Sequence, residues 1–425
     1  MTTVAGIPGA VALEKLDTRS WKTPVALGVF ALGAVVLFLG LPRDGQADFQ
    51  FSQSGDFFSI PDLIFTATPV CIGLAFACVL LAAGSFALVW FKRLTPLWYI
   101  GIFAALFLVG FLAWAAAGLR PLPLTGLLLG SVSLSIPLVF GSLGGVIGER
   151  TGVVNVAIEG QLLGGAFTAA LVSSVTGSFT AGLFAAAVAG VLIALILGVF
   201  AITYIVEQVV VGVVVNVLVL GLTNFGYSTI LTVDPEHLNR SATLPALPIP
   251  LLSQIPVIGP ALFDQSIIVY VAYVAVPAVW YALFRTKWGL RARSVGEHPE
   301  AADTVGINVN RTRYLNLVIA GAIVGFGGAY FTIGSVGSFS QNMTGGQGFI
   351  ALAAVIFGRW DPVRAAMAAL LFGFATNLQN SLGILGSPVP SEFLLMLPYL
   401  VTVFAVAGLV GRSQAPAADG KPYIK

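Results

Sequence analysis

Uninterrupted apolar runs of about 20 residues recur along most of this 425-residue chain, and they limit its fold more than any other feature. A run of this length crosses about 30 Å of hydrocarbon as an α-helix. Overall, 57% of the residues are hydrophobic and only 9% are charged. The runs lack the alternating polarity of the roughly 10-residue strands that build membrane β-barrels. The sequence therefore predicts an all-α polytopic membrane protein.

Twelve candidate crossings can be placed, of which the fifth and the tenth are short. They lie at about residues 23–41, 66–91, 97–118, 123–146, 157–173, 179–204, 208–231, 265–285, 313–336, 348–358, 364–386 and 392–411. If the N-terminus is cytoplasmic, all 20 Lys and Arg except Arg43, Arg120 and Arg240 fall on the inner side, as the positive-inside rule expects. We therefore predict about 10–12 transmembrane segments, with both termini in the cytoplasm.

The two short segments open on similar dipeptides, Gly160-Gln161 and Gly346-Gln347. Each follows an irregular stretch that contains Asn and precedes a full-length crossing. Because they are the fifth and the tenth crossings, an odd step of five, the second copy would run through the membrane in the opposite direction. We interpret them as the two broken helices of an inverted repeat, which would place a cargo path near the bilayer midplane. A chance match among 49 glycines is the alternative.

These features predict three regions. Residues 1–120 form an N-terminal extension with about three transmembrane helices, and residues 121–411 form the core, with repeat halves at about 123–231 and 265–411. Residues 412–425 form a short cytosolic tail, which its composition predicts to be disordered.

Polar side chains within the crossings are the candidate cargo contacts, since such groups are costly when they face lipid. A helix that had begun by Asn155 would place Asn155 and Glu159 on one face, about one turn apart. The full set of candidate substrate-binding residues is Asn155, Glu159, Gln161, Asn216, Asn224, Phe225, Asn342, Gln347, Asn377 and Asn380. Hydrogen bonding between helices is the alternative role for each amide, and capping of the short helix is the alternative for Glu159.

The longest predicted inner loop, residues 286–313, has the pattern of one short helix. Pro299 suits its first turn, and Gly306 suits a left-handed C-terminal position. Ala301, Ala302 and Val305 would form a small apolar face for docking into a groove of a partner protein. The complete set of predicted docking residues is Glu297, Pro299, Glu300, Ala301, Ala302, Val305 and Gly306.

Three stretches resemble the permeases of ABC importers. GEHPEAADTVGINVNRTR, residues 296–313, is similar to the coupling-helix region through which such permeases ride on their ATPase. GERTGVVNVAIEGQLLGGAF, residues 148–167, and GFIALAAVIFGRWDPVRAAMAALLFG, residues 348–373, resemble the nucleoside (simple sugar) branch of the branched-chain amino acid, ribose and nucleoside superfamily. The resemblance covers about residues 123–411. Asn155-Val156-Ala157-Ile158-Glu159 stands where ribose-type relatives carry Gly-Ile-Asp-Leu-Ser, which favours nucleosides.

This resemblance implies a permease subunit of a bacterial importer that works by alternating access in the cell membrane. The implied partners are an ABC ATPase that holds ATP and Mg, a second homologous permease that we expect to be a non-identical chain, an extracellular substrate-binding lipoprotein and membrane lipid. No nucleic-acid partner is expected, and neither is a cofactor or a metal in this chain. For a nucleoside, the Glu159 carboxylate could accept two ribose hydroxyl protons.

Two alternatives remain at this point, and an enzyme is not among them. The chain has no phosphate-binding loop, because its Gly420-Lys421 pair is followed by proline. No paired acids or nucleophile–base spacing occur in the crossings. The first alternative is a sugar permease of the ribose or galactose type. The second is a proton-coupled secondary transporter that uses Glu159, although such a mechanism does not require a docking helix.

Overall fold

The computed structural model describes residues 21–52, 55–119, 121–386, 396 and 414–424. The helices are α1 Lys22–Val35, α2 Ala67–Trp90, α3 Leu97–Ala116, α4 Leu124–Glu149, α5 Ile158–Thr176, α6 Phe179–Gly198, α7 Gln208–Gly226, α8 Pro235–Leu238, α9 Ile258–Phe263, α10 Ile267–Arg285, α11 Lys287–Glu297, α12 Pro299–Thr304, α13 Val309–Phe331, α14 Gln347–Phe357 and α15 Pro362–Ile384. The strands are β1 Gln46–Gln50, β2 Leu63–Thr66, β3 Leu122–Pro123, β4 Ala246–Pro248 and β5 Asp264–Ser266. One π-helical turn continues each of α1, α6, α7 and α13.

Nine helices in the described part of the chain are long and apolar enough to cross a membrane. They are Lys22–Gly40, Ala67–Trp90, Trp98–Ala116, Leu124–Glu149, Ile158–Thr176, Phe179–Thr203, Gln208–Leu231, Ile267–Arg285 and Val309–Val336. The predicted class, an all-α multi-pass membrane protein, is therefore confirmed. The tenth and eleventh predicted crossings form α14, with 11 residues, and α15, with 23. The twelfth, at 392–411, lies outside the described residues apart from Met396.

Residues 21–45, together with Thr66–Trp114, form one compact unit. It is built from α1, α2 and most of α3. Aromatic side chains pack these helices: the rings of Phe30 and Phe107 meet edge to face, with their centroids 5.5 Å apart. The indole N–H of Trp114 donates to the carbonyl oxygen of Leu41 at 2.7 Å, which satisfies a polar atom at the end of the helical run.

The second unit comprises Gln46–Phe65 and the chain from Ala115 onward. Its central helix is α13, which packs against α4, α5 and α6. Glycines allow this close approach: a methyl group at Gly190 would lie 2.0 Å from the carbonyl oxygen of Gly321. Small residues commonly bring helices together in this way in membranes. Two small sheets complete the unit: one has the strand order β2-β1-β3, with β1 parallel to β3, and the other pairs β4 antiparallel to β5.

Irregular segments precede both α5 and α14. The chain leaves α4 at Glu149 and re-enters a helix only at Ile158. Before α14, Gly345 and Gly346 adopt positive φ values of 52° and 86°. With 19 residues, α5 is longer than the predicted segment 157–173 and is long enough to cross a membrane.

The expectation of a disordered tail is wrong for residues 414–424. The backbone N–H of Ala418 donates to the carbonyl oxygen of Gly296 at 2.9 Å. The guanidinium of Arg313 donates to the carbonyl oxygen of Lys421 at 3.0 Å. Composition predicted disorder because the tail has few apolar residues, but its backbone finds hydrogen-bond partners on α11 and α13.

Candidate cargo and coupling sites

Glu159, in the first turn of α5, is buried and fully engaged by the segment that leads into α14. Its carboxylate accepts hydrogen bonds from the Thr344 hydroxyl at 2.6 Å, the Gly346 N–H at 2.8 Å and the Gly348 N–H at 2.6 Å. Only 8% of the residue is exposed. Since two of these donors are backbone N–H groups at the start of α14, the carboxylate caps that helix.

The expectation that Asn155 and Glu159 share a helical face is wrong. Because α5 begins at Ile158, Asn155 lies in the irregular segment before it. Its side-chain amide instead pairs with that of Gln161 through two hydrogen bonds of 3.0 and 3.2 Å. Both side chains are completely buried. The pair ties the irregular segment to the first turns of α5.

Asn216 of α7 holds the start of α5 from the other side. Its side-chain oxygen accepts from the Gly160 N–H, and its NH₂ group donates to the Val156 carbonyl, both at 2.8 Å. Asn377 of α15 similarly donates to the Leu127 carbonyl of α4 at 2.6 Å. In this conformation both residues therefore form hydrogen bonds between helices.

The other five candidates have atoms or surfaces that remain available. In the described part of the chain, Asn224 Oδ1 and Gln347 Oε1 are buried without a hydrogen-bond partner. Asn342 and Asn380 are exposed, and Phe225 is 66% exposed. Gln347 lies between Gly346 and Gly348, whose N–H groups donate to Glu159. The structure therefore brings the candidates Glu159 and Gln347 together. That any of the ten contacts cargo stays a prediction.

The predicted docking helix forms as α12, with Pro299 in its first turn. Gly306 follows with φ +85°, the left-handed conformation expected there. One residue of the predicted apolar face is placed differently: Ala302 is 2% exposed and packs with Val295 and Val309 of the same chain. The large apolar side chain of the segment, Val305, has 74% of its surface exposed. The remaining predicted docking residues Glu297, Glu300 and Ala301 are also exposed.

Sequence reasoning missed a cluster at the turn between α14 and α15. The guanidinium of Arg150 donates to the Trp360 carbonyl at 2.9 Å and to the Arg359 carbonyl at 3.4 Å. The Trp360 indole N–H donates to the Glu149 carboxylate. Burial lowers the pKa of Arg150, and the nearby Glu297 carboxylate opposes that shift. The available signal was the adjacent Glu149 and Arg150 at the end of a span, which gives no indication of a partner 210 residues away.

No group of three or more His, Cys, Asp or Glu within the described ranges is placed to hold a metal ion. The polar groups at the start of α5 and α14 are amides, hydroxyls and one carboxylate. Such groups can donate hydrogen bonds to a neutral polar cargo and accept hydrogen bonds from it.

Comparison with known proteins gives consistent matches to one family of permeases. The family described as branched-chain amino acid transport system permease component matches residues 127–406. The guanosine ABC transporter permease protein NupQ of Bacillus subtilis is 42% identical over 303 residues, which cover 68% of this chain and 93% of that protein. The nucleoside ABC transporter permease protein NupC of Lactococcus lactis is 40% identical over 298 residues, 68% of this chain and 94% of that one.

A more distant relative carries a sugar name. The putative glucose ABC transporter permease protein TsgC13 of Haloferax volcanii is 32% identical over 259 residues, which cover 60% of this chain and 77% of that protein. No solved structure matches. The family match spans well over half of the chain and includes both broken helices and the docking helix, so this protein belongs to the permease component family of branched-chain amino acid transport systems.

Proposed function

We propose that this chain is a membrane-spanning permease subunit of an ATP-driven ABC importer that takes up nucleosides. The observation that carries the proposal is its identity of 42% and 40% to permeases named for guanosine and nucleosides, over nearly their whole lengths. The relative named for glucose is less similar and is matched over a smaller part of its length. Neither sugar uptake nor proton-coupled transport by this chain alone is therefore favoured.

We place α11 and α12 in the cytoplasm, together with both termini. This segment and the start of α13 carry Lys287, Arg291, Arg293 and Arg311, and short loops rich in Lys and Arg remain on the inner side. A separate ATPase that binds ATP and Mg would dock there. Its contact surface on this chain consists of the exposed residues of α12 and the exposed Val305, with Ala302 excluded because it is buried.

The cargo path would use the polar atoms that the fold leaves without partners. The amide oxygens of Asn224 and Gln347 have no hydrogen-bond partner among the described residues, and they can accept hydrogen bonds from the N–H and O–H groups of a nucleoside. Phe225, with most of its surface exposed, can stack on a base. Asn342 and Asn380 are exposed polar groups on segments associated with the bilayer, and exposure to lipid would be costly. We therefore propose that a second permease closes the path on this side, with an external binding lipoprotein delivering the cargo.

The docking role is tested in the complex of this chain with its ATPase, second permease and receptor. Replacing Glu300→Lys together with Val305→Asp changes two exposed positions, so folding should be retained. We expect nucleoside-stimulated ATP hydrolysis to fall by about tenfold, as when central interface contacts worth roughly 1.4 kcal/mol or more are lost. The matched control is Glu236→Lys, at an exposed position outside this segment. Undiminished stimulation in the double variant would reject docking at α12.

The cargo class is tested on the external receptor of the same system. A thermal-shift panel of nucleosides, pentoses and hexoses should raise the receptor's unfolding temperature with nucleosides alone, because a ligand that binds the folded state stabilises it. Stabilisation by a pentose or hexose without any effect of nucleosides would overturn the assignment to nucleosides.

A further inference from the structure

A single connection holds the short helix α14 at both of its ends through hydrogen bonds, and we call each of these two sets of contacts a grip. This connection, residues 149–159, leads from the last residue of α4 to the first turn of α5, and we call it the link. Its last residue holds the start of α14, and its first two residues hold the turn after α14. The two grips are formed by different atoms and are independent observations.

At the start of α14, the grip is the Glu159 carboxylate. It accepts three hydrogen bonds, from one hydroxyl and two backbone N–H groups. Hydrogen bonds to an ionised acceptor are shorter and stronger than neutral ones. The packing is also direct, since a methyl group at Gly348 would lie 2.4 Å from the Glu159 backbone nitrogen. The first turns of α5 and α14 are therefore held as one body.

At the other end of α14, the grip is the side chain of Arg150. Arg359 and Trp360, which form the turn into α15, both have φ +55°. Two consecutive residues with side chains rarely adopt this left-handed conformation, and they do so only where their surroundings hold them. Here Arg150 donates to both of their carbonyl oxygens, and Glu149 accepts from the indole of Trp360.

The proposed docking segment, formed by α11 and α12, contacts the link at Arg150. A methyl group at Gly296, near the end of α11, would lie 2.2 Å from the carbonyl oxygen of Arg150. The guanidinium groups of Arg150 and Arg293 both lie over the ring of Phe284, at 5.6 and 5.1 Å from its centroid. A displacement of α11 therefore meets the backbone and the side chain of Arg150 directly.

We propose that the link carries the movement of the docking helices to α14, so that α14 shifts as one body with the first turn of α5 during transport. In this arrangement Arg150 and Glu159 are positioning residues, and Glu159 holds α14 instead of contacting cargo. The inference rests on the proposed function, because it assigns a role within ATP-driven uptake. It adds the route by which the ATPase reaches the broken helix.

The test uses the whole complex in proteoliposomes and measures two quantities: the nucleoside moved per ATP hydrolysed, and the concentration of loaded receptor that gives half-maximal transport. Arg150→Lys keeps the charge but loses the forked donor geometry. Thr344→Val removes one donor to Glu159 at a residue with no exposed surface. Thr344→Ser keeps the hydroxyl and is its matched control. Glu159→Gln removes the charge that both oxygens share.

We expect Arg150→Lys, Thr344→Val and Glu159→Gln each to lower the nucleoside moved per ATP by about fivefold, within the range for residues that carry coupling. The half-saturating concentration should stay within about twofold of wild type in each case, and Thr344→Ser should behave as wild type.

Unchanged stoichiometry in both Arg150→Lys and Thr344→Val would overturn the proposal. So would a Glu159→Gln variant that alone alters the preference for ribonucleosides over 3′-deoxyribonucleosides, because that result makes Glu159 a cargo ligand. If the wild-type complex hydrolyses ATP without any stimulation by nucleosides, it is the proposed function that fails. The wild-type measurement and the variants therefore distinguish the two failures.

Discussion

Asn216 illustrates how a polar side chain within a spanning helix can serve the fold. Both ends of its amide are used, one by the Gly160 N–H and the other by the Val156 carbonyl. Neither backbone group belongs to a regular hydrogen-bond ladder, since they flank the start of α5. Leaving them unpaired in a water-free interior would cost about 1–3 kcal/mol each. The amide is therefore part of what permits a helix to start inside the membrane.

Asn216→Ala tests this role. We expect the free energy of unfolding to fall by about 2 kcal/mol, because one donor and one acceptor lose their partner. Asn224→Ala on the same helix is the matched control, since its Oδ1 has no hydrogen-bond partner within the described residues, and it should cost less than about 0.5 kcal/mol. Thermal unfolding in detergent measures both. Equal losses in the two variants would contradict the anchoring role of Asn216.

Two adjacent residues of α12, Ala301 and Ala302, allow docking and folding to be tested separately. Ala302 packs against Val295 and Val309, whereas Ala301 is exposed. Ala302→Asp would bury an unpaired carboxylate and should lower the free energy of unfolding by about 3 kcal/mol. Ala301→Asp should leave stability within about 0.5 kcal/mol of wild type and should weaken ATPase binding. Thermal unfolding measures the stability of both variants, and co-purification measures their binding to the ATPase. A stable Ala302→Asp protein would contradict the packing of Ala302 against Val295 and Val309.

At the scale of elements, local hydrophobicity predicts where helices lie but not how they are joined. The apolar run predicted to cross at 66–91 forms α2, Ala67–Trp90. In lipid, about 20 apolar residues can satisfy the hydrogen bonds of their backbone only as a helix. The predicted crossing 157–173 begins within one residue of α5. The contact that holds this start, from Asn216 to Val156, spans 60 residues. Glu159 likewise finds Thr344 at a separation of 185 residues. Such long-range partners leave no periodic trace in the sequence, so the grips at the two ends of α14 could not be predicted.

The C-terminal tail should detach in a pH-dependent way. Burial raises the pKa of Asp419 to about 7, although a backbone hydrogen bond from Gly420 and the guanidinium of Arg313 oppose this rise. The carboxyl group of Glu149 also faces Asp419. A detached tail would ionise Asp419 near pH 4. Between about pH 4 and pH 7 the packed tail therefore holds a proton that the detached tail has lost, so packing weakens as the pH rises through this window and stays weakest above it.

Hydrogen exchange at the Ala418 amide, corrected for its intrinsic pH dependence, measures this attachment, because that N–H donates to Gly296. Protection should fall from about pH 4 to pH 7 in the wild type. In Asp419→Asn, which lacks this ionisable group, the fall should be clearly smaller over the same range. Protection that grows with pH in the wild type would contradict the assignment to Asp419.

At the scale of the whole molecule, the proposed function requires this chain to supply one side of a transport path. Its exposed polar side chains Asn342 and Asn380 lie on the segment before α14 and on α15, and the described residues leave both uncovered. We expect the second permease to be a non-identical chain. Two differently tagged copies of this protein, expressed with the partner subunits, should therefore not be recovered in one complex. Recovery of both tags together at high yield would support a symmetric pair instead.

The orientation of the molecule can be tested by labelling single cysteines in intact cells. Its two native cysteines, Cys71 and Cys78, are buried in α2 and should give little background. Val305 and Val233 are each 74% exposed, so Val305→Cys and Val233→Cys form a matched pair. If the positive-inside assignment holds, a membrane-impermeant maleimide should label position 233 at once and position 305 only after permeabilisation. Labelling of position 305 in intact cells would place α12 outside, where no ATPase could reach it, and would reject the docking role and the coupling route through the link together.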